Sequence, residues 1–429
     1  MSWLRHIGLN VGANGFGVAL ALVTTPLMAR LFPPESYGQY GLVASLTALF
    51  VSGGLLGIPM ALARERGMER CAPLVAAAVA LGAGLALLAA LLLATAAALG
   101  FFPPQLQLPA AALALWPPLI FAYALQSTSL SAGTAAGAFA ALARGRAGDA
   151  LIARAGTLVL GATWVPSVAV MMVGDLAGKL AQVWALHRDG RVCALWRGAR
   201  RLPPLGAVRT ALESHGDFAL YGNLAQLMPL VIPAALNWWV AWRLGVAAAG
   251  QWVLAQSILA IALSTLALGA APVVFHRLVE AAETAPDKLP ALALRVGASF
   301  ALIGAAAMAP VVLWGPALFA WAFGDRWQAA GELARWLGLA MIPAFSATVL
   351  ISAFRVARRI RAWFAVQAAA SAGFVAALLL LVNAADLREL GPQFALLWGL
   401  YQLALHGPIA WAVAVAAGGP TNPGEEKVG

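Results

Sequence analysis

Residues 73–101, PLVAAAVALGAGLALLAALLLATAAALGF, run for twenty-nine positions without a charged side chain. Held as a helix at 1.5 Å per residue, such a run is longer than the ~30 Å hydrocarbon core of a bilayer. Apolar stretches of about twenty residues recur on both sides of it. Of the 429 residues, 62% are hydrophobic and only 10% are charged, whereas soluble domains carry about 25% charged residues. A soluble chain of this length would also divide into several separate cores. In lipid each span must satisfy its own backbone hydrogen bonds, which a helix does. The expected fold class is therefore an all-α integral membrane protein.

Outward from 73–101, twelve transmembrane helices are drawn, at roughly 7–29, 39–62, 73–101, 110–135, 148–164, 166–186, 217–241, 246–272, 291–318, 329–354, 363–383 and 392–416. The doubtful place is Trp164-Val165-Pro166-Ser167, the only break between the fifth and sixth. Reading that pair as one helix would give eleven spans and move the C-terminus to the other side. Loop charge decides the matter, because cytoplasmic loops collect Lys and Arg. With twelve spans and both termini cytoplasmic, twenty-one cationic residues fall inside and five outside (Arg30, Arg243, Arg326, Arg335, Arg388). The same bias accounts for the +10 net charge without nucleic acid as a partner. Trp238, Trp239, Trp242, Trp314, Trp321 and Trp327 cluster at two outer helix ends, as interfacial anchors do. Cys71 and Cys193 fall in cytoplasmic loops and are expected as free thiols. Arg5-His6 leads into a full-length apolar span without a small-residue cleavage site, so the first span is expected to stay as a helix.

A repeated pattern divides the chain. One Asn-bearing helix ends in Pro26-Leu27-Met28-Ala29-Arg30-Leu31 and turns into Gly38-Gln39-Tyr40. Another carries Pro233, ends in Trp242-Arg243-Leu244 and turns into Gly250-Gln251-Trp252. Two pseudo-symmetric six-helix bundles are expected, at residues 1–186 and 217–416, as parallel repeats. Between them lies a basic cytoplasmic linker, 187–216, and after them a cytoplasmic tail, 417–429. Bundles so related rock around a central pathway, and polar residues facing it are the candidate site.

Those candidates are few. Asn10 and Asn14 begin a polar or small stripe, continued by Gly17, Ala21 and Thr24, on the first helix. Its repeat mate carries Asn223, Gln226 and Asn237 on one face. Such amides need partners in lipid, from a neighbouring helix or from a wet cavity. Asp175 and Lys179 lie one turn apart inside the sixth span, as an ion pair or an ion-coupling site. Arg154, and Arg30 with Arg243 at matching repeat positions, complete the cavity candidates; anchoring to lipid phosphate is their other explanation. The run Gln126-Ser127-Thr128-Ser129-Leu130-Ser131 is too polar to face lipid all round. No phosphate loop and no metal-ligand spacing occurs, so no catalytic residue, metal or cofactor is expected.

The segments Ala29-Arg30-Leu31-Phe32-Pro33-Pro34-Glu35-Ser36-Tyr37-Gly38-Gln39-Tyr40-Gly41, Gly57-Ile58-Pro59 and Phe323-Gly324-Asp325-Arg326-Trp327 resemble the Wzx-type polysaccharide flippase family. That family sits within the multidrug/oligosaccharidyl-lipid/polysaccharide exporter superfamily. The resemblance implies a bacterial inner-membrane flippase carrying a polyprenyl-diphosphate-linked oligosaccharide, with membrane lipids around it and polymerase and glycosyltransferases as pathway partners. A cation-coupled multidrug antiporter of the same superfamily is the alternative, with Asp175 as its one evident acidic residue. An O-antigen polymerase or ligase would need a large periplasmic loop, and the longest loop here is placed in the cytoplasm.

Overall fold

A computed structural model describes residues 2–65, 67–100, 108–199, 216–357 and 359–418. Most of the linker drawn at 187–216, and the chain from 419 onward, lie outside these residues. The described chain is helical throughout: α1 (Ser2–Leu31), α2 (Pro34–Gly54), α3 (Ile58–Arg64), α4 (Met68–Ala98), α5 (Ala110–Ala135), α6 (Phe139–Thr163), α7 (Val168–His187) and α8 (Gly190–Gly198). There follow α9 (Gly216–Leu244), α10 (Val246–Thr284), α11 (Leu289–Phe323), α12 (Gln328–Leu350), α13 (Ala353–Val356), α14 (Ile360–Leu381) and α15 (Leu387–Ala417). Two compact units result, Met1–Val253 and Leu254–Gly429, and the division falls inside α10.

The expectation of twelve transmembrane helices in two six-helix bundles is not met. Among the described residues, eight helices are long and apolar enough to cross a membrane, or nine if α2 and α3 are one bent span. The reasons are local. Helix α6 starts at Phe139, well before the span drawn at 148–164, and so adds Arg144 and Arg146 to the Asp149 and Arg154 already within it. The described apolar part of α1 is only Gly15–Leu31. The second span is broken, since Leu56 (φ 51°) and Gly57 (φ 74°) are left-handed and Pro59 has no amide proton to extend the helix backward. Helices α2 and α3 consequently meet at 62°.

The doubtful turn at Trp164–Ser167 does separate two helices. A Cβ on Gly174 of α7 would land on Thr157 Oγ1 of α6, and one on Gly178 would come within 2.6 Å of Asp149 Oδ1. These two helices therefore run antiparallel at a separation only glycine permits. Below them α8, capped by the Asp189 carboxylate on Arg191 N (3.0 Å), buries Val192 and Leu195 against Ile58, Cys71 and Leu74. The start of the drawn linker is thus packed into the first unit. Among the tryptophans, Trp242, Trp314 and Trp321 are exposed as membrane anchors should be, but Trp239 and Trp327 are buried core residues.

In the second unit α11, α12 and α15 pack together, with Val349, Leu350, Phe354, Ile409 and Ala412 in one core cluster. Gly304 lies against Phe345, and Gly315 and Gly331 bring the α11 and α12 backbones together.

Replacing Gly174 with Val should lower the thermal stability of the purified protein, by about 1–3 kcal/mol for an overpacked interior. Gly84→Ala, where an added Cβ meets nothing within 4 Å, should be neutral or stabilising. Thermal unfolding in detergent compares the two.

Candidate functional site

The interior of the first unit is organised around three charges. Asp175, Lys179 and Gln182 stand at i, i+4 and i+7 and share one face of α7. Lys179 Nζ lies 2.9 and 3.2 Å from the two oxygens of Asp149 on α6, and 3.4 Å from Asp175 Oδ1. One ammonium is therefore held between two carboxylates, and the three side chains keep only 9–17% of their exposure. Burial of this kind needs every remaining lone pair filled. Tyr40 of α2 and Tyr123 of α5 both donate to Asp175 Oδ2, at 3.0 and 2.8 Å. The Gln126 amide donates to Asp149 Oδ2 at 3.1 Å and also reaches Gln182 Oε1. Lys179 stands 5.0 Å from the centre of the Tyr123 ring, within cation–π range.

Why the groups meet is a matter of small residues. Gly178 lets Asp149 come against α7, and Gly174 makes room for Thr157. The α2–α5 contact is pinned by Trp116 Nε1 donating to Thr47 Oγ1 at 2.9 Å. Four helices thus deliver side chains to one cluster.

A cavity of about 290 Å³ adjoins it, lined by Ala48, Val51, Ser52, Leu55, Pro59, Met60, Tyr123, Gln126, Ser127, Leu130 and Asn223. Its position follows from the break between α2 and α3, because Leu55 and Pro59 are on its wall. Tyr123 and Gln126 line the cavity and also hydrogen-bond the two carboxylates. A molecule in the cavity therefore touches the same side chains that hold the charges in place.

The sequence-predicted residues are distributed unevenly. Asp175 and Lys179 are neighbours in the cluster. Asn223 is on the cavity wall. Arg154 faces α1, where Nη1 donates to Thr24 Oγ1 (3.1 Å) and Thr25 Oγ1 (3.2 Å). Asn237 is buried at 7% exposure, and its amide oxygen has no hydrogen-bond partner among the described residues. Arg30 and Arg243 are exposed at the ends of α1 and α9, away from the cavity lining. The side chains of Asn10, Asn14 and Gln226 lie outside the described residues.

Sequence reasoning missed Asp149, Tyr40, Tyr123 and Gln182. Asp149 was passed over because the drawn span began at 148, which left it at a loop edge among arginines. The available signal was an acid on the same apolar stretch as Arg154. The two tyrosines had no signal as partners, since 135 and 52 residues separate them from Asp175.

A larger groove of about 710 Å³ lies in the second unit, among α11, α12 and α15. Its lining is apolar apart from Trp336, Ser346 and His406, and Ser346 Oγ is hydrogen-bonded to His406 Nε2. Among the described residues, no charge cluster comparable to the one in the first unit lines it.

The fold is that of a polytopic α-helical membrane protein. An inward-facing multidrug resistance transporter of the MATE family, within the MOP superfamily, matches with a TM-score of 0.69 at 15% identity, over 93% of this chain and 95% of that one. The lipid II flippase MurJ, in an inward closed conformation, matches at 0.67 and 11% identity, over 94% and 89%. The eukaryotic MATE transporter AtDTX14 matches at 0.56 and 15%, over 96% and 97%. At these identities the likeness is one of fold. The chain belongs to the polysaccharide biosynthesis protein family, whose profile matches residues 27–332. No curated protein is matched.

Removing Lys179 leaves two buried carboxylates without a cation, so Lys179→Met should destabilise the protein by about 3–5 kcal/mol. Asp149→Asn leaves a one-to-one pair of Asp175 and Lys179 and should cost markedly less. Denaturation of the purified variants in detergent gives the order.

Proposed function

We propose that the protein is an alternating-access transporter of the bacterial inner membrane, with both termini cytoplasmic, coupled to a cation that exchanges at the Asp149–Asp175–Lys179 cluster. One observation carries this reading: Tyr123 and Gln126 line the cavity and hydrogen-bond the carboxylates. Lys179 brings one positive charge to two negative ones, which leaves the cluster an acceptor for a further cation. A cation arriving there competes for the oxygens that Tyr40, Tyr123 and Gln126 now hold. Cavity shape and cation occupancy are then linked, and linkage works in both directions. The folds of the MATE transporters support an exchange of cation for cargo, the multidrug-antiporter form of this reading.

A second reading of the cargo has its own support. Membership of the polysaccharide biosynthesis family, and a fold shared with the lipid II flippase, favour a polyprenyl-diphosphate-linked oligosaccharide. Ser52, Ser127, Gln126 and Asn223 on the cavity wall offer the hydroxyls and amides that sugar hydroxyls need. Moving a diphosphate and sugars through hydrocarbon costs many kcal/mol without such a lining. Polymerase and glycosyltransferases would then be pathway partners.

Proteoliposomes with an imposed cation gradient test both. Asp175→Asn and Asp149→Asn should each lower gradient-driven transport by about tenfold or more, with the fold retained. Movement of a fluorescent cationic dye identifies the antiporter, and movement of a fluorescent polyprenyl-linked sugar identifies the flippase. Failure of both cargoes under every gradient rejects the proposal.

A further inference from the structure

Arg154 is a half-buried cation with no acid beside it. Its Nη1 donates to Thr24 Oγ1 and Thr25 Oγ1, at 3.1 and 3.2 Å, and among the described residues no carboxylate pairs with it. Both threonines are buried, and Thr24 already donates its own proton to the carbonyl oxygen of Leu20 at 2.6 Å. Two neutral hydroxyls are weak partners for a guanidinium away from water, where a carboxylate forms the stronger, charge-assisted bond.

Such a carboxylate lies level with it. Helices α6 and α7 run antiparallel, and Ala153 packs on both Gly174 and Gly178. Arg154 follows Ala153 and Asp175 follows Gly174, so the two charged residues stand at the same height on facing helices. Tyr40 reaches both. Its hydroxyl donates to Asp175 Oδ2 at 3.0 Å, and it lies within electrostatic reach of Arg154, as does Tyr37. The charges also match: Asp149 and Asp175 exceed Lys179 by one negative charge, and Arg154 supplies one positive charge to balance it.

We propose that Arg154 is a tethered competitor for the cation that exchanges at the cluster. The guanidinium rests on Thr24 and Thr25 while Tyr40 covers Asp175, and it moves onto the Asp175 carboxylate when the exchanging cation leaves. The emptied cluster is then never an uncompensated charge, and an arriving cation must displace an arginine. Occupation from within raises the apparent Kd in proportion to the time the site is filled that way. The charged and titratable groups that face Asp175 in this scheme are Tyr40 of α2, Tyr123 of α5, Asp149 and Arg154 of α6, and Lys179 of α7. The inference rests on the cation-exchange reading above and states what sets the affinity of that site.

The test uses the full-length protein in detergent, with the fluorescence of its sixteen tryptophans followed during titration with Na⁺, K⁺ or H⁺. The midpoint belonging to the cluster is the one that Asp175→Asn abolishes. Arg154→Gln removes the competitor and should shift that midpoint about tenfold, to lower cation concentration or about one pH unit higher. Thr24→Val with Thr25→Val removes the resting place, leaves the guanidinium to the carboxylate, and should shift the midpoint the opposite way. In the Arg154→Gln background the threonine changes should add nothing, because both act through one group. A purely electrostatic or structural role for Arg154 predicts a shift on its own removal and none from the threonine pair. An unmoved midpoint in Arg154→Gln, or a threonine pair that leaves the midpoint in place or tightens binding, overturns the competitor. The threonine arm decides alone if Arg154→Gln is not recovered as monodisperse protein. A parent with no such midpoint for any of the three cations overturns cation exchange itself, and the competitor with it.

Discussion

An ammonium without water must find its counter-charge within the protein, and Lys179 finds two. Its 2.9 Å contact with Asp149 and 3.4 Å contact with Asp175 draw α6 and α7 together. The oxygens left over recruit Tyr40 from α2, with Tyr123 and Gln126 from α5. In a low-dielectric interior each of these bonds is worth more than it would be in water, and each is costlier to lose. The polar interior of the first unit is thus a consequence of placing that one cation where little solvent reaches it.

The arrangement depends on glycine as much as on charge. Gly178 leaves space for the Asp149 carboxylate, and a side chain there would hold α6 away from Lys179. Gly174 does the same one turn earlier for Thr157. In lipid there is no hydrophobic force to press helices together, so close van der Waals approach at small residues does that work. Helices α2 and α10 use the same device at Gly38 and Gly250, with backbone in place of charged side chains.

The break in the second span shows how a membrane helix makes room. Leu56 and Gly57 take left-handed conformations, and the chain turns by 62° beside Ser52 and Asn223. Irregular backbone at membrane depth is tolerated where it lines a cavity. Leu56 is the one non-glycine residue with positive φ among the described residues, and strain of that kind gathers at functional sites.

The amino-acid sequence by itself determined the solvent and the material: apolar helices in a bilayer, interrupted by polar residues too few to be incidental. Asp175 and Lys179 were legible as a pair because they lie one turn apart on one helix, a distance set by helical geometry alone. The turn at Trp164–Ser167 was legible from charge on either side of it. The count of twelve spans was not, because hydropathy does not register where α6 begins, which charges it carries inward, or that Leu56 and Gly57 bend the chain. Asp149, Tyr40 and Tyr123 could not be assigned to the cluster, since their partners are distant in sequence and only the crossing of helices brings them within hydrogen-bond reach. Arg30 and Arg243 matched as repeat positions, and they stand at helix ends outside the lining of the cavity beside Tyr123. Local periodicity tells which residues share a face of one helix; which faces meet is decided by close approach at glycines, and that is a property of the folded whole.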